Sequence, residues 1–202
     1  VIVGIILLIS VIVLSFLIWN QFIVIVWIYI LINILYTLYL KRIVIVDIFT
    51  IAAGFILRIL GGAIIISVYI SNWLLLTAVF LTLFLAVMKR RVEIATSSEA
   101  IEHRDVLKHY SLGFIDKIVS ISAGGVILSY ALYTVSEKTT IMFSSEKLVY
   151  TIPFVIFGVF RYIYLVYKEN KGENITEVLI SDIPMIINSV LYISITLVII
   201  YF

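Results

Sequence analysis

Four charged side chains stand where an apolar run of membrane length ends, in the stretch LFLAVMKRRVE (83–93). Lys89, Arg90 and Arg91 follow one another directly, and Glu93 comes two residues later. A guanidinium can hold a phosphate through two parallel hydrogen bonds, and a lysine ammonium neutralises it as a compact charge. These residues indicate a site for a phosphorylated substrate at the membrane surface. The alternative is a topological anchor, because basic residues beside a span also set its orientation.

Three carboxylates follow at three-residue spacing: Glu99, Glu102 and Asp105. On a helix, this spacing puts them near one face. Clustered oxygen ligands suit Mg²⁺, which is commonly shared with substrate phosphates. Glu102 and Asp105 are therefore candidate Mg²⁺ ligands. A solvated loop is the alternative, since the carboxylates match no specific metal motif.

Three more charged residues, Asp47, Arg58 and Arg161, fall within or at the edge of apolar segments. A charge at membrane depth costs at least about 2.5–3.5 kcal/mol and usually faces a helix-bundle interior or a wet cavity. Asp47 and Arg58 are close to three helical turns apart, so they share a face about 16 Å apart, too far to pair directly. We expect them to flank a polar cavity or to have other partners. Alternatively, Arg58 snorkels or pairs with a carboxylate to fix helix packing.

The composition places these residues in a membrane protein. Hydrophobic residues make up 64% of the 202 residues and charged residues 13%, whereas soluble domains have roughly 45–50% and about 25%. The chain has no cysteine and only two histidines. Disulfides, thiolate metal sites, cysteine nucleophiles and histidine-rich metal sites are therefore excluded.

A transmembrane helix needs about 20 largely apolar residues, and seven segments qualify. They are 1–19, 22–40, 47–68, 72–88, 113–135, 148–167 and 183–202. The Ile/Val-rich runs lack the polar alternation of membrane β-strands. The sequence therefore predicts an all-α integral membrane protein with a single transmembrane domain over 1–202.

The Lys and Arg content of the connections between these segments indicates the topology. Lys and Arg are absent after the first and third segments and present after the second, fourth and sixth, whereas the fifth connection, around Glu137-Lys138 and Glu146-Lys147, is charge-balanced. The positive-inside rule puts Val1 and residues 41–46, 89–112 and 168–182 in the cytoplasm. All the candidate phosphate-binding stretches then fall on one side of the cell membrane.

Several blocks resemble the UbiA superfamily, in the branch of decaprenyl-phosphate phosphoribosyltransferase-like enzymes. They are LYTLYLKRIVIVDIFTIAAGFILRILGGA (35–63), LFLAVMKRRVE (83–93), HRDVLKHYS (103–111), TIPFVIFGVFRYIYLVY (151–167) and ISDIPMIIN (180–188). They occur in the same order as in that branch and cover nearly the whole chain. The GFxLR, KRRxE and PFxxxGxFRYxYL blocks distinguish the branch from aromatic prenyltransferases of the same fold.

The resemblance implies a set of residues that bind the phosphate and ribose groups of the substrates. Together with Arg58 and Arg161, the candidates are Tyr36, Lys41, Asp47, Lys89, Arg90, Glu93, Arg104 and Tyr110. Glu102 and Asp105 stand where a second acidic motif is expected, although the usual DxxxD spacing is not met.

UbiA-type proteins have nine transmembrane helices, and an NDxxD motif between the second and third supplies the main Mg²⁺ ligands. The seven segments here match helices three to nine, and no NDxxD pattern occurs. We therefore expect the chain to be truncated at its N-terminus relative to the family, and inactive unless those ligands are supplied.

The resemblance implies transfer of 5-phosphoribose from phosphoribosyl pyrophosphate to a polyprenyl phosphate, with Mg²⁺, for cell-envelope polysaccharide precursors. Its partners are these substrates and membrane lipids, with no nucleic acid. One alternative is a UbiA-type prenyltransferase that passes an isoprenoid from its diphosphate to an aromatic or polar-lipid acceptor. Another is a transporter or non-catalytic membrane protein, although no inverted repeat of the kind found in transporters is visible.

Overall fold

The computed structural model describes residues 20–96, 105–169 and 180–201, which contain helices and no strand. The α-helices are α1 (Asn20–Leu38), α2 (Val46–Ile65), α3 (Asn72–Thr96), α4 (Leu112–Val135), α5 (Glu137–Phe143), α6 (Ile152–Glu169) and α7 (Ile183–Tyr201). Short 3₁₀ helices lie at Leu40–Arg42, Asp105–His109 and Lys147–Thr151.

These helices confirm the prediction of an all-α, multi-pass membrane protein. Six of the seven predicted segments coincide with an α-helix, and segment 1–19 lies outside the described residues. Within the described ranges, five helical stretches are long and apolar enough to cross a bilayer: Val46–Ile65, Asn72–Ala95, Leu112–Val135, Lys147–Lys168 and Ile183–Tyr201. The apolar part of α1, Phe22–Leu38, is shorter.

Helix α3 continues beyond its apolar part, so the basic block that follows is helical. The apolar segment ends at residue 88, and the helix continues through the charged block to Thr96. Leu, Met, Lys, Arg and Glu are all good helix formers, and Arg90 pairs with Glu93 one turn later. The basic side chains therefore stand on a rigid element and not on a loop.

The chain divides into two compact units, Val1–Ile70 and Ser71–Phe202. The assignment of the whole chain to one transmembrane domain stays a prediction.

In the first unit, α1 and α2 form an antiparallel pair joined by the 3₁₀ helix at Leu40–Arg42. At the end of this pair away from the 3₁₀ helix, a glycine allows α2 to approach α1 closely, because a Cβ on Gly61 would lie 3.3 Å from Cε2 of Phe22. At the end beside the 3₁₀ helix, Ile45 precedes α2 with φ of 73°. This is an unusual conformation for a β-branched residue.

In the second unit, the most extensive helix contact is between α3 and α4. Gly125 on α4 lies against the Phe80 ring on α3, and a Cβ there would be 2.6 Å from both Cγ and Cε1 of that ring. Phe84 and Tyr162 extend the core to α6 with an edge-to-face contact, their ring centroids 5.7 Å apart. The absence of a side chain at Gly125 therefore sets how closely α3 and α4 approach.

We expect Gly125→Ala to lower stability by about 1–3 kcal/mol, the usual cost of overpacking. Gly124→Ala is the matched control, because a Cβ at that position meets nothing within 4 Å and alanine favours a helix over glycine by about 0.8–1.0 kcal/mol. Unfolding in mixed micelles followed by circular dichroism measures both variants. Equal stability of the two proteins would contradict the close packing of α3 against α4.

Polar contacts connect α7 to its neighbours in the second unit. The Tyr130 hydroxyl on α4 lies 3.1 Å from the Tyr192 hydroxyl on α7 and 2.7 Å from the Thr151 hydroxyl. The Asn188 amide on α7 donates to the carbonyl oxygen of Phe154 on α6 at 3.0 Å. Contacts of this kind fix helix pairs in membranes, where apolar packing has no hydrophobic driving force.

Candidate functional site

The last turns of α3 present one exposed and one buried cation. Lys89 is exposed, and no ion pair is found for it within the described ranges. Arg90 is only 2% exposed, and its Nη1 donates to Oε2 of Glu93 at 2.5 Å. One cation is thus free to reorient toward a ligand, whereas the other is held in place by a carboxylate.

Arg91 joins three helices through a polar cluster that also contains Asp116 of α4 and Tyr167 of α6. Its Nε donates to Oδ1 of Asp116 at 2.9 Å, and its Cζ lies 3.4 Å from the centroid of the Tyr167 ring. The Tyr167 hydroxyl donates to the same Oδ1 at 2.5 Å. This cluster fixes the end of α3 that carries Lys89 and Arg90.

We expect two substitutions in the Arg91 cluster to lower stability by different amounts. Asp116→Asn removes the countercharge of an arginine whose side chain is 13% exposed, so we expect a loss of about 2 kcal/mol in stability. Tyr167→Phe removes one hydrogen bond but keeps the ring, and about 1 kcal/mol should be lost.

Tyr164→Phe is the matched control for Tyr167→Phe, because both tyrosines lie on α6. Among the described residues, the Tyr164 hydroxyl accepts one exposed hydrogen bond, from Lys168, and we expect no measurable change in stability. Thermal unfolding of the detergent-purified variants measures all three effects. A loss in Tyr164→Phe as large as in Tyr167→Phe would contradict the role given to the cluster.

Tyr110 lies just before α4 and is buried, with 6% of its surface exposed. Its ring stacks on Phe114 with centroids 6.3 Å apart. Ser111 caps the helix, since its hydroxyl accepts a hydrogen bond from the Phe114 amide at 3.2 Å. The side chain of Tyr110 is thus fixed by the start of α4.

Arg161 on α6 and Asp182 before α7 form a two-pronged ion pair. Nε and Nη2 of Arg161 donate to Oδ1 and Oδ2 of Asp182 at 3.0 and 2.7 Å. Asp182 Oδ1 also accepts from the Met185 amide at 2.9 Å, so the same carboxylate caps α7. The structure therefore gives Arg161 a clear packing contact, and its role in substrate binding stays a prediction.

In the first unit, Tyr36 and Arg58 line one cavity of about 170 Å³ between α1 and α2. Lys41 is exposed on the 3₁₀ helix between these helices. Asp47 lies in the first turn of α2 and is fully buried, with 0% exposure. Asp47 and Arg58 therefore differ in environment, because Arg58 is exposed.

The remaining predicted residues fall in or beside the gap at 97–104. Glu102 and Arg104 lie outside the described residues, and of Asp105 only the backbone is described, at the start of a 3₁₀ helix. In ranges 20–96, 105–169 and 180–201, no group of three Asp, Glu or His side chains could hold a metal ion. The Mg²⁺ ligands stay predictions.

Sequence analysis did not single out Asp116, Asp182 or the contact made by Tyr167. The ion-pair partners are 25 and 21 residues apart along the chain. One signal was available for Asp182, because it directly precedes an apolar helix, where a carboxylate is favoured by the helix dipole.

Comparison with known proteins gives two matches. The chain is 32% identical over 94 residues to the decaprenyl-phosphate phosphoribosyltransferase of Corynebacterium glutamicum, covering 46% of this chain and 28% of that protein. It is 27% identical over 111 residues to the protein of the same name from Mycolicibacterium smegmatis, covering 54% and 35%. The chain is similar to decaprenyl-phosphate phosphoribosyltransferases.

This similarity confirms the resemblance found in the sequence blocks. The matched stretches span about a third of the length of the curated relatives. No family model matches the chain. Both relatives are transferases by name, and this chain has helices long and apolar enough to cross a membrane.

Proposed function

We propose that this protein transfers 5-phosphoribose from phosphoribosyl pyrophosphate to a polyprenyl phosphate at the cytoplasmic face of the membrane. The product would serve the synthesis of cell-envelope polysaccharide precursors. The observation that carries the proposal is the pair of cations at the end of α3, one exposed and one buried against Glu93. They occur in a chain that is similar to two phosphoribosyltransferases.

The reaction is a substitution at the anomeric carbon of ribose. A phosphate oxygen of the lipid attacks C1, and a new C1–O bond forms while the bond from C1 to the pyrophosphate oxygen breaks. Pyrophosphate leaves with the electron pair, and positive charge develops at C1 and the ring oxygen. Catalysis therefore requires neutralisation of the leaving group and alignment of the acceptor.

The side chains of α3 suit two different parts of this task. Arg90 is held by Glu93 before any ligand arrives, which is the preorganisation that stabilises developing charge most effectively. Lys89 is exposed and flexible, so it can follow a diphosphate as it binds and leaves. The resemblance adds Lys41 and Arg104 as phosphate contacts and Asp47 as an orienting carboxylate.

Mg²⁺ belongs to this proposal because it would neutralise a diphosphate leaving group. The ranges that the structure describes hold no group of three suitable ligands. Glu102 and Asp105, which the sequence resemblance indicates, are its proposed ligands.

The test is transfer of label from phosphoribosyl pyrophosphate to lipid in membranes that contain the full-length protein. We expect a lipid-linked phosphoribose that forms only when a polyprenyl phosphate is present. Label transferred instead from a prenyl diphosphate to an aromatic acceptor would replace the proposal with the prenyltransferase alternative. Solute uptake by vesicles without any transfer would replace it with a transporter.

A further inference from the structure

Two cavities between α1 and α2 share Tyr29 and Arg58 in their linings, and the smaller one holds more polar groups than the larger. The first, of about 170 Å³, has Tyr29, Asn33, Tyr36, Thr50, Phe55 and Arg58 among its lining residues. The second, of about 510 Å³, is almost entirely apolar apart from Tyr29 and Arg58, and Phe22, Leu57 and Gly62 are among its lining residues. The smaller cavity, with its mixed polar and apolar lining, is called the polar chamber, and it adjoins the apolar cavity at the Arg58 cation.

The guanidinium of Arg58 points toward the polar chamber. Its Nη2 donates to the Tyr29 hydroxyl at 2.6 Å, and its Cζ lies 5.2 Å from the centroid of the Phe55 ring. Phe55 precedes Arg58 by about one turn, so the side chain is directed toward the start of α2, as helical side chains usually are. That end is the predicted cytoplasmic end.

The charge of Arg58 is not neutralised by a carboxylate in the part of the chain that the structure describes. The described hydrogen bond to Tyr29 uses one of the five N–H donors that an arginine carries. A cation in a membrane span is costly unless it is paired, and it marks a functional site by default. An anionic group in the polar chamber would supply the missing pairing.

We infer that this groove binds the lipid acceptor, with its phosphate against Arg58 and its isoprenoid chain in the apolar cavity. This inference rests on the proposed function and deepens it by naming the place of one substrate. A bilayer phospholipid fits less well, because one apolar cavity adjoins the polar chamber, which suits a single isoprenoid chain better than two acyl chains.

The test measures binding to the purified full-length protein in detergent, without phosphoribosyl pyrophosphate. Native mass spectrometry compares farnesyl phosphate, farnesol and dioleoyl phosphatidic acid. We expect farnesyl phosphate to bind at least about 10-fold more tightly than farnesol, because a charge-assisted hydrogen bond is lost with the alcohol. Phosphatidic acid that displaces farnesyl phosphate at equal concentration would overturn the inference in favour of a general anionic-lipid site.

Two variants separate the contribution of the phosphate from that of the chain. Arg58→Gln should abolish the preference for phosphate over alcohol, whereas Arg58→Lys should keep most of it. Gly62→Leu projects into the apolar cavity, where a Cβ meets nothing within 4 Å, and should weaken both ligands about equally. Gly124→Leu, at an equally open position on α4, should change neither. An unchanged preference in Arg58→Gln would overturn the inference.

Failure of the inference and failure of the proposed function give different results. If farnesyl phosphate binding requires Arg58 but the full-length protein transfers no phosphoribose, the lipid-binding groove stands and the proposed reaction is wrong. If Arg58→Gln transfers phosphoribose with an unchanged KM for the lipid, the proposed reaction stands and the acceptor binds at another place.

Discussion

Replacing Lys89 with alanine should lower kcat/KM for phosphoribosyl transfer by about 10²–10³-fold, the usual effect of removing one group that stabilises developing charge. Lys89 is exposed and has no ion pair within the described ranges, so the amount of inserted protein should not change. The assay is initial rates with phosphoribosyl pyrophosphate in membranes, normalised to the folded protein.

Lys147→Ala is the control for Lys89→Ala. Lys147 is also an exposed lysine at the end of an apolar helix, but it lies in a connection predicted on the opposite side of the membrane. It should leave the transfer rate unchanged. Equal transfer rates for Lys89→Ala and Lys147→Ala would show that the end of α3 is not part of the proposed site.

Arg90 requires a different substitution, because it is buried and paired with Glu93. Arg90→Ala should abolish or greatly reduce transfer without preventing insertion, but it also leaves the Glu93 carboxylate without this partner. Arg90→Lys keeps the charge and loses the planar fork, so it separates the effect on activity from the effect on packing.

The second large effect is expected at the ion pair between α6 and α7. Asp182→Ala should lower the free energy of unfolding by about 3 kcal/mol, because it removes both the partner of Arg161 and the cap of α7. The Arg161 side chain is 28% exposed, so the loss should stay at the lower end of the range for buried pairs.

Asp182→Asn distinguishes the two contributions, because asparagine still caps a helix but carries no charge. We expect it to lose about 1 kcal/mol less than Asp182→Ala, as measured by unfolding in mixed micelles. A double-mutant cycle with Arg161→Gln gives the coupling energy. If Arg161→Gln has the same effect with and without Asp182→Asn, the two side chains do not interact in solution.

The helices could be predicted from the sequence because bilayer thickness sets their length. The segment predicted at 47–68 is observed as Val46–Ile65, and the one at 183–202 as Ile183–Tyr201. The partners of the charged residues could not be predicted in this way. Arg161 was identified as a charge within an apolar segment, but Asp182 is 21 residues away and follows a separate connection.

The partner of Arg58 also could not be predicted from the sequence. The sequence indicated a cavity or a carboxylate partner, and the described contact is the Tyr29 hydroxyl on another helix. Hydropathy reports burial in lipid but not which helix faces meet, and this depends on the packing of α1 against α2. For Glu102, Arg104 and the side chain of Asp105, the site prediction rests on the sequence resemblance.

The polar contacts of α7 restrict its position along its own axis. Asp182, Asn188 and Tyr192 each reach a different polar partner, namely Arg161, the Phe154 carbonyl and Tyr130. A shift of α7 by one turn, about 5.4 Å, would break all three contacts together and separate these polar atoms from their partners. Apolar faces alone would tolerate such a shift. The three contacts therefore give α7 a single longitudinal register, and substitutions among its lipid-facing Ile, Leu and Val residues should leave that register intact.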